Sequence, residues 1–118
     1  GAASAAMAPE VYEAARAEAA DVIVVALAGA TPPPNADYGK CTVIGIVHSV
    51  ERGTRHQTGD PVSLAVDCAR PGADYPDGGA LYEDLESLLN SAYGRAWLGP
   101  DGTIVLSQYE QLTEAELP

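Results

Sequence analysis

Two cysteines and two histidines are the residues of this 118-residue chain best suited to chemistry: Cys41, Cys68, His48 and His56. A catalytic cysteine needs a neighbouring base and a lowered pKa, yet both cysteines fall inside apolar, strand-like runs. A zinc site needs more ligands at close spacing, and the chain has no Cys-x-x-Cys pair. We therefore predict a Cys41–Cys68 disulfide, no metal and no cofactor. The alternative is a pair of buried free thiols in a cytosolic protein.

A hydrolytic centre could be built around His48 if Asp60 oriented it and Ser49 or Ser63 lay within reach. The chain lacks the Gly-x-Ser-x-Gly turn that presents a nucleophilic serine in many hydrolases. An exposed histidine without a catalytic role is the simpler interpretation. The sequence therefore predicts no catalytic residues, and a hydrolytic or metal-dependent enzyme remains the alternative.

Residues 74–84 gather several carboxylates around Gly78-Gly79. Carboxylates on a loop can bind calcium, but their spacing does not follow the Asp-x-Asp-x-Asp-Gly pattern and Pro76 interrupts it. Asp77 is more simply interpreted as the N-cap of a following helix. Whether this segment binds a cation is left open by the sequence.

The charge balance is strongly acidic, with six basic and seventeen acidic residues and a net charge of -11. Such a chain repels phosphate backbones, so we predict no nucleic-acid binding. The excess lies in residues 60–118, which favours either a solvated acidic surface or a docking face for a cationic partner. No apolar run reaches the roughly eighteen residues of a membrane span.

Hydrophobic periodicity predicts an all-β fold with added helices. Residues 1–8 are expected to be a disordered or processed N-terminus, and residues 9–118 a single domain. The predicted strands cover residues 22–28, 41–50, 62–70, 95–98 and 103–112. The predicted helices cover residues 9–20 and 81–92, with Gly94 as a C-cap of the second.

Strands two and three fit each other when position n pairs with position 109 minus n, which places Cys41 opposite Cys68. One face of this hairpin is apolar in both strands. The other face carries Ile44, Ile46 and Val50, which is too many branched aliphatic residues for a bare solvent face. Either the N-terminal helix or a bend in the strand covers them, or they form a binding or dimer surface.

The order of three strands, a helix and a two-strand hairpin resembles the oligonucleotide/oligosaccharide-binding barrel, which has five strands and one helix between strands three and four. Residues 41–53, ending in Arg52-Gly53, then Gly59-Asp60, then residues 62–68, are similar to secreted netrin-like domains, which include the tissue inhibitors of metalloproteinases. Those inhibitors chelate metal through an N-terminal cysteine and carry several disulfides. This chain begins Gly1-Ala2 and allows one disulfide, so their mechanism does not carry over.

The resemblance implies a ligand site on the face of strands two and three and on the adjoining loops. The expected ligand-binding residues are Tyr38, Lys40, Ile44, Ile46, His48 and Trp97. We therefore expect a periplasmic or secreted binding module for a protein or a small polar ligand, without catalysis of its own. A subunit of an exported assembly, or a dimer formed through this face, is the remaining alternative.

Overall fold

The computed structural model describes residues 7–118, and it is mainly β-sheet with two α-helices. The expected N-terminal segment 1–8 therefore lies largely outside the described residues. A 3-10 turn over Glu114–Glu116 follows the last strand, and Thr113 and Glu116 form a capping box at its start. The elements in chain order are α1 (Pro9–Glu18), β1 (Asp21–Thr31), β2 (Tyr38–Arg52), β3 (Pro61–Ala69), β4 (Glu83–Asp84), α2 (Leu85–Asn90), β5 (Tyr93–Leu98) and β6 (Ile104–Leu112).

The six strands form one sheet in the order β4-β3-β2-β1-β5-β6, curled into a half-barrel. The expected all-β class with helices is confirmed, but the expected count of five strands is wrong. The additional strand is β4, whose two residues pair in parallel with Cys68 and Ala69 of β3. The helical spacing of Leu81 and the later leucines concealed it, because a two-residue strand leaves no periodicity of its own.

The second helix is shorter than predicted and begins at Leu85. Its N-cap is Asp84, which accepts a hydrogen bond from the Ser87 backbone N–H at 3.0 Å, so the assignment of Asp77 as N-cap is wrong. The expected C-cap, Gly94, lies inside β5. The leucine spacing predicts a longer helix because it continues beyond Leu85–Asn90, over residues that lie outside α2 in the structure.

The long strand β2 runs for 15 residues and pairs with β1 along most of its length, but with β3 only as far as Ile46. Irregular pairing with β1 occurs at three places, including the step from Leu27 to Gly29 opposite Gly45. A Cβ atom on Gly45 would collide with the Ala26 carbonyl oxygen, so only glycine allows the two backbones to approach so closely. Such bulges bend a sheet and increase its twist.

The pairing of β2 with β3 differs by two residues from the expected register. Cys41 pairs with Val66, and Gly39 pairs with Cys68. Because side chains alternate with a period of two, this shift leaves every residue on its expected face, so the apolar pattern could not distinguish the two registers. The two cysteines are thus diagonal neighbours rather than direct partners.

The predicted Cys41–Cys68 disulfide is confirmed, with a Cα–Cα distance of 5.8 Å. That separation lies within the range that a disulfide accepts. Both cysteines are fully buried in the core on the inner face of the half-barrel. Leu85 and Leu88 of α2 belong to the same buried core as the two cysteines.

Replacing both cysteines, as Cys41→Ala with Cys68→Ala, should lower the free energy of unfolding by about 3 to 4 kcal/mol, because the bridge closes a loop of nearly thirty residues in the unfolded chain. Urea unfolding of the variant and of the reduced and oxidised wild type measures this. Equal stability of oxidised and reduced protein, or two thiols that alkylate in the unfolded, unreduced chain, would contradict the bridge.

Candidate functional site

Five of the expected site residues form a row along the outer face of β2. Tyr38, Lys40, Ile44, Ile46 and His48 occupy alternate positions of one strand, and their neighbours Cys41, Val43 and Val47 point into the core. Residues two apart on a strand share a face and are separated by roughly 6.6 Å. The structure therefore places these five side chains on a single outward surface, which we call the β2 row.

An apolar groove occupies the middle of the β2 row. Ile44 is 49% exposed and Ile46 is 45% exposed, which is unusual for isoleucine on a sheet. The groove has a volume of about 440 Å³. Its lining residues are Ala28, Ile44, Gly45, Ile46, Pro61, Val62 and Ser63.

The groove is uncovered because α1 packs elsewhere. This helix contacts β6, and the Tyr12 hydroxyl donates a hydrogen bond at 2.6 Å to the Gly79 carbonyl oxygen in the loop before α2. The proposal that α1 covers the aliphatic residues of β2 is therefore wrong for Ile44 and Ile46. Val50 needs no cover from α1, because it packs against the core. The irregular β1–β2 pairing between Val22 and Val25 disturbs the alternation there.

A buried carboxylate joins three elements at one side of the groove. Asp67 of β3 lies opposite Lys40, and the Lys40 ammonium is 2.8 Å from its Oδ1. The Ser107 hydroxyl of β6 donates a hydrogen bond to its other oxygen, Oδ2. The arrangement connects β3 to β6 across the open side of the sheet, where Ser107 adopts a left-handed backbone with φ of 60°.

Three tyrosines cluster at the Tyr38 end of the β2 row. Tyr38 lies 6.1 Å from Tyr75 and 5.7 Å from Tyr82, measured between ring centroids, and Tyr75 and Tyr82 are 4.4 Å apart. Burial raises the pKa of the Tyr82 hydroxyl, and the nearby Asp67 carboxylate raises it further. The cluster fixes the loop of residues 70–82 against the end of the sheet, and Tyr75 remains 43% exposed.

His48 lies at the opposite end of the β2 row, and no hydrogen bond or ion pair among the described residues joins it to Asp60, the partner that the alternative hydrolytic centre would need. Its ring meets Tyr93 edge-on with centroids 5.7 Å apart. Asp60 instead accepts a hydrogen bond from the Gln57 backbone N–H at 2.8 Å, which stabilises the turn before β3. The Ser49 hydroxyl is buried without a hydrogen-bond partner among the described residues. The structure thus does not bring these residues together into a hydrolytic centre.

Trp97 does not belong to the β2 row. It lies on β5 beside Val22, whose partner on β2 is Arg52, fourteen positions from Tyr38. The Arg16 guanidinium of α1 lies 5.6 Å from the centre of the indole ring. Trp97 therefore helps to dock α1 and lies outside the surface that holds Tyr38, and its role in ligand binding stays a prediction.

Four residues beside the β2 row are absent from the predicted site, namely Tyr75, Tyr82, Tyr93 and Asp67. The predicted second helix includes Tyr82, and a helical position there does not indicate a contact with Tyr38. In the observed register Asp67 faces Lys40, and opposite charges on facing positions are a recognised signal of strand pairing. That signal was available in the sequence and would have selected the correct register.

Residues 7–118 contain no group of three His, Cys, Asp or Glu side chains placed to share a metal ion. Within the same residues, no helix has the length and apolar character needed to cross a membrane.

The chain was also compared with known proteins. It matches no family model, no curated protein and no solved structure. The function of the β2 row must therefore be inferred from its own geometry and charge.

One carboxylate near the tyrosine cluster should make stability depend on pH. Burial raises the pKa of Glu83, Glu110 adds to the rise, and the hydrogen bond from Gln111 opposes it. A raised folded-state pKa means that its contribution to stability is present at low pH and is lost as pH rises through that pKa. Glu83→Gln should therefore be more stable than wild type at pH 7, and the difference should vanish near pH 3.

Urea unfolding at both pH values measures this difference. Glu86→Gln, which removes the same charge from an exposed position on α2, is the matched control. A Glu83→Gln variant that is less stable than the control at pH 7 would show that the Glu83 carboxylate is favourably placed when ionised.

Proposed function

We propose that this chain is an exported binding module that captures a protein partner through the apolar groove on the β2 row. The partner contributes an apolar segment to the space between Ile44, Ile46 and the start of β3. The chain itself performs no catalysis in this proposal. The observation that carries it is the exposure of two neighbouring isoleucines on a well-formed sheet, at 49% and 45% of their surface.

Exposed aliphatic side chains of this kind support a protein-binding function on energetic grounds. Burying a large aliphatic side chain contributes roughly 1.5 to 3 kcal/mol, and adjacent anchors of this type form the centre of many interfaces. The groove is open to solvent and its lining is largely apolar. A small polar ligand would find few hydrogen-bond partners there, so a protein segment suits the groove better.

Charge supports a partner of different sequence over a second copy of the chain. The net charge is -11, so two copies brought face to face would repel each other. The same charge disfavours nucleic acid, whose phosphates would meet an acidic surface. A neutral or basic protein segment would not be repelled by this negative charge.

We infer an open variant of the oligonucleotide/oligosaccharide-binding barrel, similar to netrin-like domains, because β3-β2-β1-β5-β6 is the strand order of that barrel with α2 between its third and fourth long strands. The buried disulfide supports residence in an oxidising compartment, periplasmic or extracellular.

A peptide-display selection against the oxidised wild-type protein tests the proposed surface. Peptides selected for binding should lose at least about tenfold in affinity for the double variant Ile44→Ser/Ile46→Ser, because two apolar anchors are removed. Both side chains are exposed, so the variant should retain the fold, which circular dichroism and thermal unfolding can check.

Leu89→Ser is the matched control, since Leu89 is also 49% exposed but lies on α2. Selected peptides should bind this control as they bind wild type. Peptides that ignore the isoleucine substitutions, or that lose equal affinity for the control, would refute the groove as the binding site. Self-association abolished by the isoleucine substitutions would instead assign the groove to a second copy of the chain.

A further inference from the structure

A second, chemically different cleft lies behind the tyrosine cluster, on the side of the loop that leads to α2. It has a volume of about 320 Å³. Its lining residues are Tyr12, Tyr75, Pro76, Asp77, Gly79, Ala80, Leu81 and Tyr82. The cleft therefore has three aromatic rings, one aliphatic side chain and one carboxylate, with no basic residue. We call it the tyrosine cleft.

One hydrogen bond and a set of ring contacts hold the walls of the tyrosine cleft in place. The Tyr12 hydroxyl is hydrogen-bonded to the Gly79 carbonyl, which ties α1 to the loop. Tyr75 and Tyr82 pack against each other and against Tyr38. The ring centroids of Tyr38, Tyr75 and Tyr82 are too close together for a cation to lie between the rings. A ligand would instead meet the ring surfaces that face the cleft.

The basic residues of this chain cannot neutralise the cleft, because all six contact other groups. Four of them form ion pairs with carboxylates, Arg52 donates hydrogen bonds to carbonyl oxygens at the end of α1, and Arg16 lies over Trp97. Asp77 is exposed and, within the described residues, makes no hydrogen bond or ion pair through its carboxylate. Residues 67–84 contain five acids and one base, Arg70.

The aromatic rings, the Leu81 side chain and the Asp77 carboxylate of the cleft together suit a positively charged side chain. Tyrosine ring faces attract a guanidinium or ammonium group within about 6 Å of the ring centre. The long stem of arginine or lysine can lie along an apolar residue such as Leu81 while its charged head reaches a carboxylate. An anion would meet Asp77 and the surrounding negative charge, and it is excluded on that ground.

We propose that the tyrosine cleft binds an arginine or lysine side chain of a basic peptide segment. The Asp77 carboxylate accepts its charge-assisted hydrogen bonds, and Tyr75 and Tyr82 contact it through their rings. This site is separate from the apolar groove, and its occupancy does not depend on the proposed function of that groove.

The probe is acetyl-tetra-arginine-amide, titrated into isotope-labelled protein while backbone amide shifts are followed by NMR. Saturable shifts should be centred on residues 75–82. Asp77→Asn should weaken binding roughly twofold to fivefold, as expected for loss of one exposed ion pair. Tyr75→Leu, which keeps an apolar side chain without the ring, should weaken it roughly twofold to fivefold.

Asp74→Asn is the matched control, because it removes the same charge from the same loop outside the cleft lining. It should change the affinity less than twofold. Equal weakening by Asp74→Asn and Asp77→Asn would show diffuse attraction to an acidic surface and overturn the proposal. Shifts centred elsewhere, or equal shifts with acetyl-tetra-glutamate-amide, would also overturn it. The Ile44→Ser/Ile46→Ser variant should bind this probe as wild type does, so the two sites can fail independently.

Discussion

The register of β2 against its two neighbours is the constraint on which the rest of this structure depends. Each residue of β2 is assigned to the core or to solvent by that register, because a shift of one position would exchange the two faces. Two cross-links between β2 and β3 fix it. The Cys41–Cys68 disulfide holds the inner face, and the Lys40–Asp67 ion pair lies on the outer face nearby.

The curvature of the sheet follows from the same strand. The irregular pairing of β1 with β2 around Gly45 bends both strands, so the inner face closes around the core and α2. Bending also leaves the outer face convex. Helix α1 packs against β6 and Trp97 rather than against the middle of β2. The exposed isoleucines are therefore a consequence of where the fold places its only long helix among the described residues.

Much of this arrangement could be predicted from alternation and cysteine count. The disulfide, the apolar inner face and the outward positions of Ile44, Ile46 and His48 all follow from a strand with a period of two. The predicted strand begins at residue 41, so the extension of β2 back to Tyr38 was not predicted. The exact register could not be obtained from alternation, although the facing charges of Lys40 and Asp67 favour the observed one. The short β4, the late start of α2 and the position of Trp97 depend on tertiary contacts, which no local pattern of the sequence reports.

The tyrosine cluster is a second feature that the sequence could not predict. Tyr38, Tyr75 and Tyr82 are distant in sequence, and their meeting depends on the path of the loop before α2. Tyr12 joins the same region only because α1 docks beside that loop. Aromatic residues in Pro- and Gly-rich segments can thus be identified as candidates from sequence, but their grouping requires the folded chain.

The proposed function requires that Ile44 and Ile46 face solvent on the outside of the sheet while the fold is intact. Paramagnetic relaxation by a soluble gadolinium chelate measures this directly on methyl-labelled protein, where the four isoleucines provide internal comparison. The methyl groups of Ile44 and Ile46 should relax strongly, and that of the fully buried Ile23 should be unaffected. Protection of Ile44 and Ile46 equal to that of Ile23 would contradict the account, because it would mean that the groove is already covered within the free protein.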